Sequence, residues 1–163
     1  MVKVIGLLVL FAAHLAAPAM SAEDRPATVV FVCEHGSAKS MIAALWFNRL
    51  ASERGLHLQG VSRGVNPDAK VPESVAQNLR NDGFDLRGVV PVRLQSSDLT
   101  RAVHVITIGA ESPLFDTLVK APERWNDIPP VSVDYQASRD AMRLRLGTLV
   151  EALGRKQPAG QRP

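Results

Sequence analysis

A cysteine, a lysine and a serine lie close together in the segment CEHGSAKS, which spans residues 33–40. A thiolate at Cys33 is a nucleophile, and the Lys39 ammonium can hold an anion. The Ser40 hydroxyl can donate to the sulfur or cap a helix. The three residues before Lys39 are small, as a tight turn requires. The segment therefore predicts an anion-binding loop that carries a nucleophilic cysteine.

The elements on either side of this loop favour the same function. Residues 28–32, TVVFV, form a continuous β-branched and aromatic run, which predicts a strand buried on both faces. Residues 40–54 carry apolar side chains at helical spacing, and Gly55 provides a stop. A loop between such a strand and helix turns backbone N–H groups toward one point at the positive pole of the helix. That field favours an anion and the thiolate form of Cys33.

Arg63 is a further candidate for anion binding because it follows a second predicted strand, beside Gly64. A solvated surface position for Arg63 is the alternative. The alternative for the loop is that Cys33 is a small buried hydrophobe and Ser40 only an N-cap. The predicted anion-binding residues are Glu34, His35, Gly36, Ser37, Ala38, Lys39 and Arg63.

The rest of the chain alternates apolar runs with helical periodicity. Strands are predicted over residues 56–62 and 102–108, with a short fourth strand around residues 125–133. Helices are predicted over residues 72–83, 113–119 and 134–153. This order predicts a single three-layer α/β domain, with a four-stranded, mainly parallel sheet flanked by helices.

The first 22 residues have the pattern of a secretory signal peptide. They contain Lys3, an uncharged apolar run over residues 4–13 and small residues up to Ala22. We expect a signal peptide over residues 1–22, a domain over 23–155 and a disordered tail over 156–163. The expected location is the periplasm or the exterior of the cell. The alternative is an uncleaved anchor, which would be the only contact with a membrane.

Composition excludes several classes of function. The 163 residues include one cysteine, which allows neither an internal disulfide nor a four-cysteine zinc site. The four histidines show no metal-ligand spacing, so neither metal nor cofactor is expected. A net charge of +3 without a long basic run does not favour nucleic acid as a partner. A small anion or a phosphomonoester is the expected ligand, and the oligomeric state is left open.

The loop resembles that of the low-molecular-weight protein tyrosine phosphatase family, which includes the thioredoxin-coupled arsenate reductases. One branch of that family has the loop Cys-x-His-Asn-x-Gly-Arg-Ser, which Cys33, His35 and Ser40 match. The similarity continues through residues 61–64, 83–86 and 105–108. The resemblance implies the phosphotyrosine phosphatase fold and attack by Cys33 on a phosphotyrosine-like phosphomonoester.

Three departures from the family pattern fall on functional positions. Lys39 replaces an arginine that would grip phosphate through two donors, and Gly36 replaces an asparagine that braces the loop, which predicts a less rigid cradle. Pro129 stands where the family carries its general acid. Asp127 is the first substitute and Asp134 the second, although a turn or helix-cap role is the alternative for each.

These observations leave three functions open. The first is a cysteine-dependent phosphatase with Cys33, Lys39, Ser40 and Asp127 as catalytic residues. The second is a non-catalytic protein that binds an oxyanion or phospholigand. The third is an arsenate reductase that relies on an external thiol, because residues 109–112 hold no cysteine for an internal relay.

Overall fold

The computed structural model describes residues 25–156. The predicted signal peptide and the tail beyond Lys156 lie outside this range. No helix within the described range is long and apolar enough to cross a bilayer.

Within residues 25–156, four strands and four α-helices follow one another. The strands are β1 (Ala27–Cys33), β2 (Leu58–Gly64), β3 (Ala102–Thr107) and β4 (Glu123–Arg124). The α-helices are α1 (Lys39–Glu53), α2 (Glu73–Asn81), α3 (Ser96–Arg101) and α4 (Tyr135–Gly154). A 3₁₀ helix (Pro113–Thr117) lies between β3 and β4.

The sheet has the strand order β2-β1-β3-β4, and every pairing is parallel. β1 occupies the centre, which explains its unbroken apolar sequence, because a parallel strand covered on both faces has no solvated side. In the β1–β2 register Cys33 lies opposite Gly64 and Val32 lies opposite Arg63. The predicted three-layer α/β architecture is confirmed.

Alternate residues of β1 belong to different hydrophobic clusters, one on each face of the sheet. Phe31 and Cys33 pack in the larger cluster with α1, α2 and α4. Val30 and Val32 pack in the smaller cluster with Leu99 of α3 and neighbouring residues. Cys33 therefore faces the side of the sheet that α1 covers.

The fourth strand and two helices differ from the prediction. β4 ends at Arg124 instead of lying within residues 125–133, and Trp125 packs in the core 6.1 Å from the Phe31 ring. Pro129 and Pro130 lack the N–H that a longer strand would need. The predicted 113–119 helix is a 3₁₀ turn, and the polar six-residue α3 was not predicted.

The two ends of the strands differ in their surroundings. At the carboxyl edge of the sheet, β1 continues into residues 34–38 and then into α1. At the amino edge, a groove is lined by Ala27 at the start of β1, by His104 near the start of β3, and by Lys156 beyond α4. The loop with the predicted chemistry and this groove therefore lie at opposite ends of the sheet.

Candidate active site

Cys33 lies at the end of β1, at the base of a turn formed by residues 34–38. The Gly36 N–H donates to Cys33 Sγ at 3.3 Å, and Ser40 Oγ lies 3.0 Å from the same sulfur. Cys33 is buried but lines a cleft of about 590 Å³. The Gly36 N–H and the Ser40 hydroxyl therefore both contact the sulfur, and the Gly36 amide is the defined donor.

The segment after β2 fixes the shape of this turn, which we call the cradle (residues 33–39). The carbonyl oxygens of Cys33, Glu34 and His35 accept hydrogen bonds from the backbone N–H groups of residues 65, 66 and 68, at 3.1, 2.8 and 3.1 Å. In a trans peptide the C=O and the next N–H point in opposite directions. Because these carbonyls face outward, the following N–H groups face inward, where an anion can accept from them.

The helix that follows the cradle adds further donors. α1 begins at Lys39, and its N-cap residue Ala38 provides no side-chain hydrogen bond to the first turn. Its first N–H groups have no partner within the helix and carry the positive end of the helix dipole. The cradle and α1 together form a site suited to a tetrahedral oxyanion.

A chain of hydroxyl groups connects the nucleophile to the back of the cradle. Ser40 Oγ lies 2.8 Å from Ser62 Oγ, and Ser62 Oγ donates to the Gly36 carbonyl at 3.0 Å. Because Ser62 Oγ donates to that carbonyl, the contact between the two hydroxyls uses the Ser40 proton, and Ser40 Oγ then accepts from the Cys33 thiol. A thiolate at Cys33 would instead draw the Ser40 proton to the sulfur. Ser40 is fully buried, so water does not compete for this bond.

Gly36 lies so close to β2 that a side chain would meet backbone atoms. Its φ is +64°, in the left-handed region, and a Cβ there would lie 2.8 Å from the Gly64 nitrogen. The lower rigidity expected of a cradle with glycine at this position stays a prediction.

Lys39 points across the cleft instead of folding over the cradle. Its Nζ donates to the Ile128 carbonyl at 3.0 Å, so it joins α1 to the loop before α4. An ammonium has three donors, which leaves two for a ligand. Lys39 also lines the cleft, so its charge contributes to the field that an anion meets there.

The structure does not bring Arg63 to the cradle. Arg63 pairs with Val32, so its side chain lies on the opposite face of the sheet from Cys33. Its guanidinium bonds Asp98 at 2.8 Å and the Ser62 carbonyl at 2.8 Å. Burial alone would raise the pKa of Asp98, but the hydrogen bonds from Arg63 and from the Gln95 N–H outweigh it, and the pKa is lowered. Arg63 is a structural ion-pair partner in this arrangement.

The two predicted acids also lie outside the cleft. The Asp127 side chain is 73% exposed and pairs with Arg145, which holds the pKa of Asp127 below its usual range. Asp134 caps α4, with Oδ1 accepting from the Ala137 N–H at 2.9 Å. Neither carboxyl group is among the residues that line the cleft.

Sequence reasoning missed Asp68, which does line the cleft. One of its oxygens accepts from Ser37 Oγ, and the other lies 3.5 Å from His35 Nδ1. The position of Asp68 shortly after the carboxyl end of β2 was a signal, because the ends of parallel strands meet at one edge of the sheet.

The walls of the cleft are largely apolar. Tyr135 forms part of one wall, and its hydroxyl donates to Asp82 at 2.6 Å. Burial, together with that bond to a carboxylate, raises the pKa of Tyr135 well above its usual value. The other apolar wall residues include Pro72, Val75, Ile108, Pro130, Val131 and Val133. A flat apolar group attached to the bound anion would fit between such walls.

No metal site accompanies the cradle. Within residues 25–156, no group of three or more His, Cys, Asp or Glu side chains is arranged to hold a metal ion.

Comparisons with known proteins bear on the family and the fold of the chain. The sequence model for low molecular weight phosphotyrosine protein phosphatases matches residues 28–114. YfkJ from Bacillus subtilis superposes with a TM-score of 0.70 at 18% identity, covering 82% of this chain and 98% of the other. The thioredoxin-dependent arsenate reductase Cg_ArsC1' of Corynebacterium glutamicum superposes with a TM-score of 0.64 at 20% identity, covering 82% of this chain and 64% of the other.

A third solved structure is the YwlE arginine phosphatase from Geobacillus stearothermophilus, with a TM-score of 0.60 at 20% identity, covering 81% of this chain and 96% of the other. No protein of curated function matches the chain in sequence. At these identities the structural likeness establishes the fold, whereas the sequence model extends over more than half of the chain.

Proposed function

Because the chain belongs to the low molecular weight phosphotyrosine protein phosphatase family, we propose that it hydrolyses aryl phosphomonoesters, such as phosphotyrosine, through a covalent intermediate on Cys33. The observation that supports this most directly is the position of Cys33 Sγ within the anion cradle, where it accepts from the Gly36 N–H at 3.3 Å and lies 3.0 Å from Ser40 Oγ.

The first step is attack of the Cys33 thiolate on phosphorus. The inward N–H groups of the cradle and the first turn of α1 hold the phosphoryl oxygens, while Lys39 adds a positive charge. The bond from phosphorus to the aryl oxygen breaks as the bond to sulfur forms, leaving a phosphocysteine.

The second step is hydrolysis of the phosphocysteine by water. The bond from sulfur to phosphorus breaks, the electron pair returns to Cys33 Sγ, and inorganic phosphate leaves. Ser40 stabilises the departing sulfur by donating its proton in a hydrogen bond. The Ser40 hydroxyl is therefore expected to assist both steps, since a thiolate enters the first and leaves the second.

The apolar walls favour an aryl ester over an alkyl ester. Tyr135, Val131 and Pro72 flank the cleft, and an aromatic ring buries more apolar surface between them than a short alkyl chain does. If residues 1–22 direct secretion, the substrate is met in the periplasm or outside the cell.

One observation favours a second candidate, a non-catalytic phospholigand binder. Lys39 Nζ bonds the Ile128 carbonyl, and lysine lacks the planar fork with which arginine matches the oxygens of a transferring phosphoryl group. Such a cradle retains affinity for the ground-state anion while stabilising the transition state less well.

Hydrolysis of nitrophenyl phosphate by the freshly reduced full chain separates the two candidates. We expect turnover that Cys33→Ser abolishes, and a higher kcat/KM in Lys39→Arg because the fork is restored. Absence of turnover above Cys33→Ser, in both the native chain and Lys39→Arg, would overturn the phosphatase. If inorganic phosphate then still raised Tm, the binder would stand.

A further inference from the structure

We propose that His35 donates the proton to the aryl oxygen as it leaves, and that Asp68 is the positioning residue that holds the His35 ring. This inference rests on the proposed function, because a leaving-group acid has a role only if phosphoryl transfer takes place. It identifies the acid for a cleft in which the two predicted acids, Asp127 and Asp134, are absent.

Elimination among the titratable groups of the cleft points to His35. Tyr135 is a poor proton donor, because its raised pKa opposes loss of the proton and its hydroxyl already donates to Asp82. Glu34 accepts from the Asn66 amide at 2.7 Å. Lys39 Nζ donates one hydrogen to the Ile128 carbonyl, and its charge is assigned to the phosphoryl oxygens.

Asp68 is occupied on both oxygens. Ser37 Oγ donates to Oδ2, and the Oδ1 oxygen faces His35 Nδ1 at 3.5 Å. The Asp68 carboxylate therefore faces cradle residues on both sides, an arrangement suited to positioning them. His35 differs from these groups, because no residue in the described chain bonds its Nε2 atom, and its side chain is 61% exposed while lining the cleft.

The backbone holds the two residues together. The Asp68 N–H donates to the His35 carbonyl at 3.1 Å, so the two residues are connected both through the main chain and through their side chains. A carboxylate opposite Nδ1 favours the ring orientation in which Nε2 is directed away from Asp68. The proton on Nε2 is then the one that is available to the cleft.

The proton balance closes over the two steps. In the first, Cys33 Sγ bonds phosphorus, the electron pair of the broken ester bond moves to the aryl oxygen, and that oxygen takes the proton from His35 Nε2. In the second, the neutral imidazole takes a proton from the attacking water, and the pair from the sulfur–phosphorus bond returns to Cys33. His35 regains its proton and the products are a phenol and inorganic phosphate.

The test compares kcat/KM for two esters, because kcat/KM reports the step in which the aryl oxygen leaves. Dinitrophenolate leaves without a proton, whereas phenolate needs one. In His35→Gln we expect kcat/KM to fall about 100-fold for phenyl phosphate and no more than about fivefold for dinitrophenyl phosphate. Asp68→Asn should also lower kcat/KM more for phenyl phosphate than for dinitrophenyl phosphate, but with a smaller difference between the two esters.

His104→Gln is the matched control. His104 also pairs with a carboxylate, with Nε2 at 2.7 Å from Glu123 Oε2, but it lines the groove at the amino edge of the sheet. We expect equal kcat/KM values for His104→Gln and the native chain with both esters.

The outcomes separate this inference from the proposed function. Loss of dinitrophenyl phosphate turnover in Cys33→Ser supports the function independently of His35. If His35→Gln then lowered kcat/KM for both esters by the same factor, or for neither, His35 would not be the acid. If the native chain hydrolysed neither ester, both the proposed phosphatase activity and the proposed role of His35 would be overturned.

Discussion

Gly36 and Gly64 contact each other back to back, one in the cradle and one at the end of β2. A Cβ on Gly64 would lie 2.8 Å from the Gly36 nitrogen and 2.8 Å from the His35 carbonyl carbon. These are backbone atoms, which cannot turn aside as a flexible side chain can. The loop that carries the nucleophile therefore rests directly on the neighbouring strand, and the position of Cys33 depends on the absence of side chains at both glycines.

Gly64→Ala tests this contact. We expect it to lower the free energy of unfolding by about 1–3 kcal/mol through overpacking, and to lower kcat/KM because the cradle shifts. Chemical denaturation and aryl phosphate hydrolysis measure the two effects. Gly147→Ala is the control, since a Cβ there meets nothing within 4 Å and alanine favours a helix, so it should stabilise by about 0.5–1 kcal/mol. Equal free energies of unfolding and equal kcat/KM values for the two variants would contradict the close contact.

Asp127→Asn should leave aryl phosphate hydrolysis within about twofold of the native kcat/KM. Its carboxylate points away from the cleft and pairs with Arg145 on α4. The measurement is kcat/KM for phenyl phosphate, the ester that most needs an acid. A fall comparable to that expected of His35→Gln would return Asp127 to the role that the sequence first assigned to it.

Ser40→Ala should slow alkylation of Cys33 by iodoacetamide at neutral pH by about three- to tenfold. A hydrogen bond to a charged group contributes about 1.5–3 kcal/mol, and part of that gain is offset because a more stable thiolate is less nucleophilic. Ser62→Ala is the matched control, since Ser62 bonds Ser40 but not the sulfur. An alkylation rate in Ser40→Ala equal to the native rate would show that Ser40 does not donate to the thiolate.

Asp98→Asn should destabilise the fold near neutral pH by about 1–3 kcal/mol, because Arg63 loses its charged partner. The pKa of Asp98 is lowered from its ordinary value of 3.8, so the ion pair stabilises the fold above that pH and the stabilisation is lost as pH falls below it. The measurement is urea denaturation at neutral pH and at about pH 3. The difference in the free energy of unfolding between the native chain and the variant should be smaller at the acidic pH. A difference that does not change with pH would contradict this account.

The features that could be predicted from sequence are those set by local order. A buried strand, a small-residue turn and a helix bring Cys33 and Ser40 together, because β1 and α1 begin and end within a few residues of the predicted positions. The alternation of elements likewise predicts a parallel sheet. The sequence model confirms the family that the loop resembles.

The features that escaped prediction depend on register and on distant partners. The face on which Arg63 lies follows from its pairing with Val32, and a shift of one residue would have turned it toward Cys33. Asp127 points outward because Arg145, on α4, provides its partner. Asp68 reaches the cleft because three carbonyls of the cradle bind the segment after β2. None of these relationships has a signature in local composition.

Ala27 and Lys156 both line the groove at the amino edge, which shows where the protein can be attached to a support. A purification tag or surface linker fused beyond Lys156 would leave the molecule at the end opposite the cradle. Immobilised in that way, the protein would present its cleft to the solution, and the support would not block the approach of a ligand to the cradle.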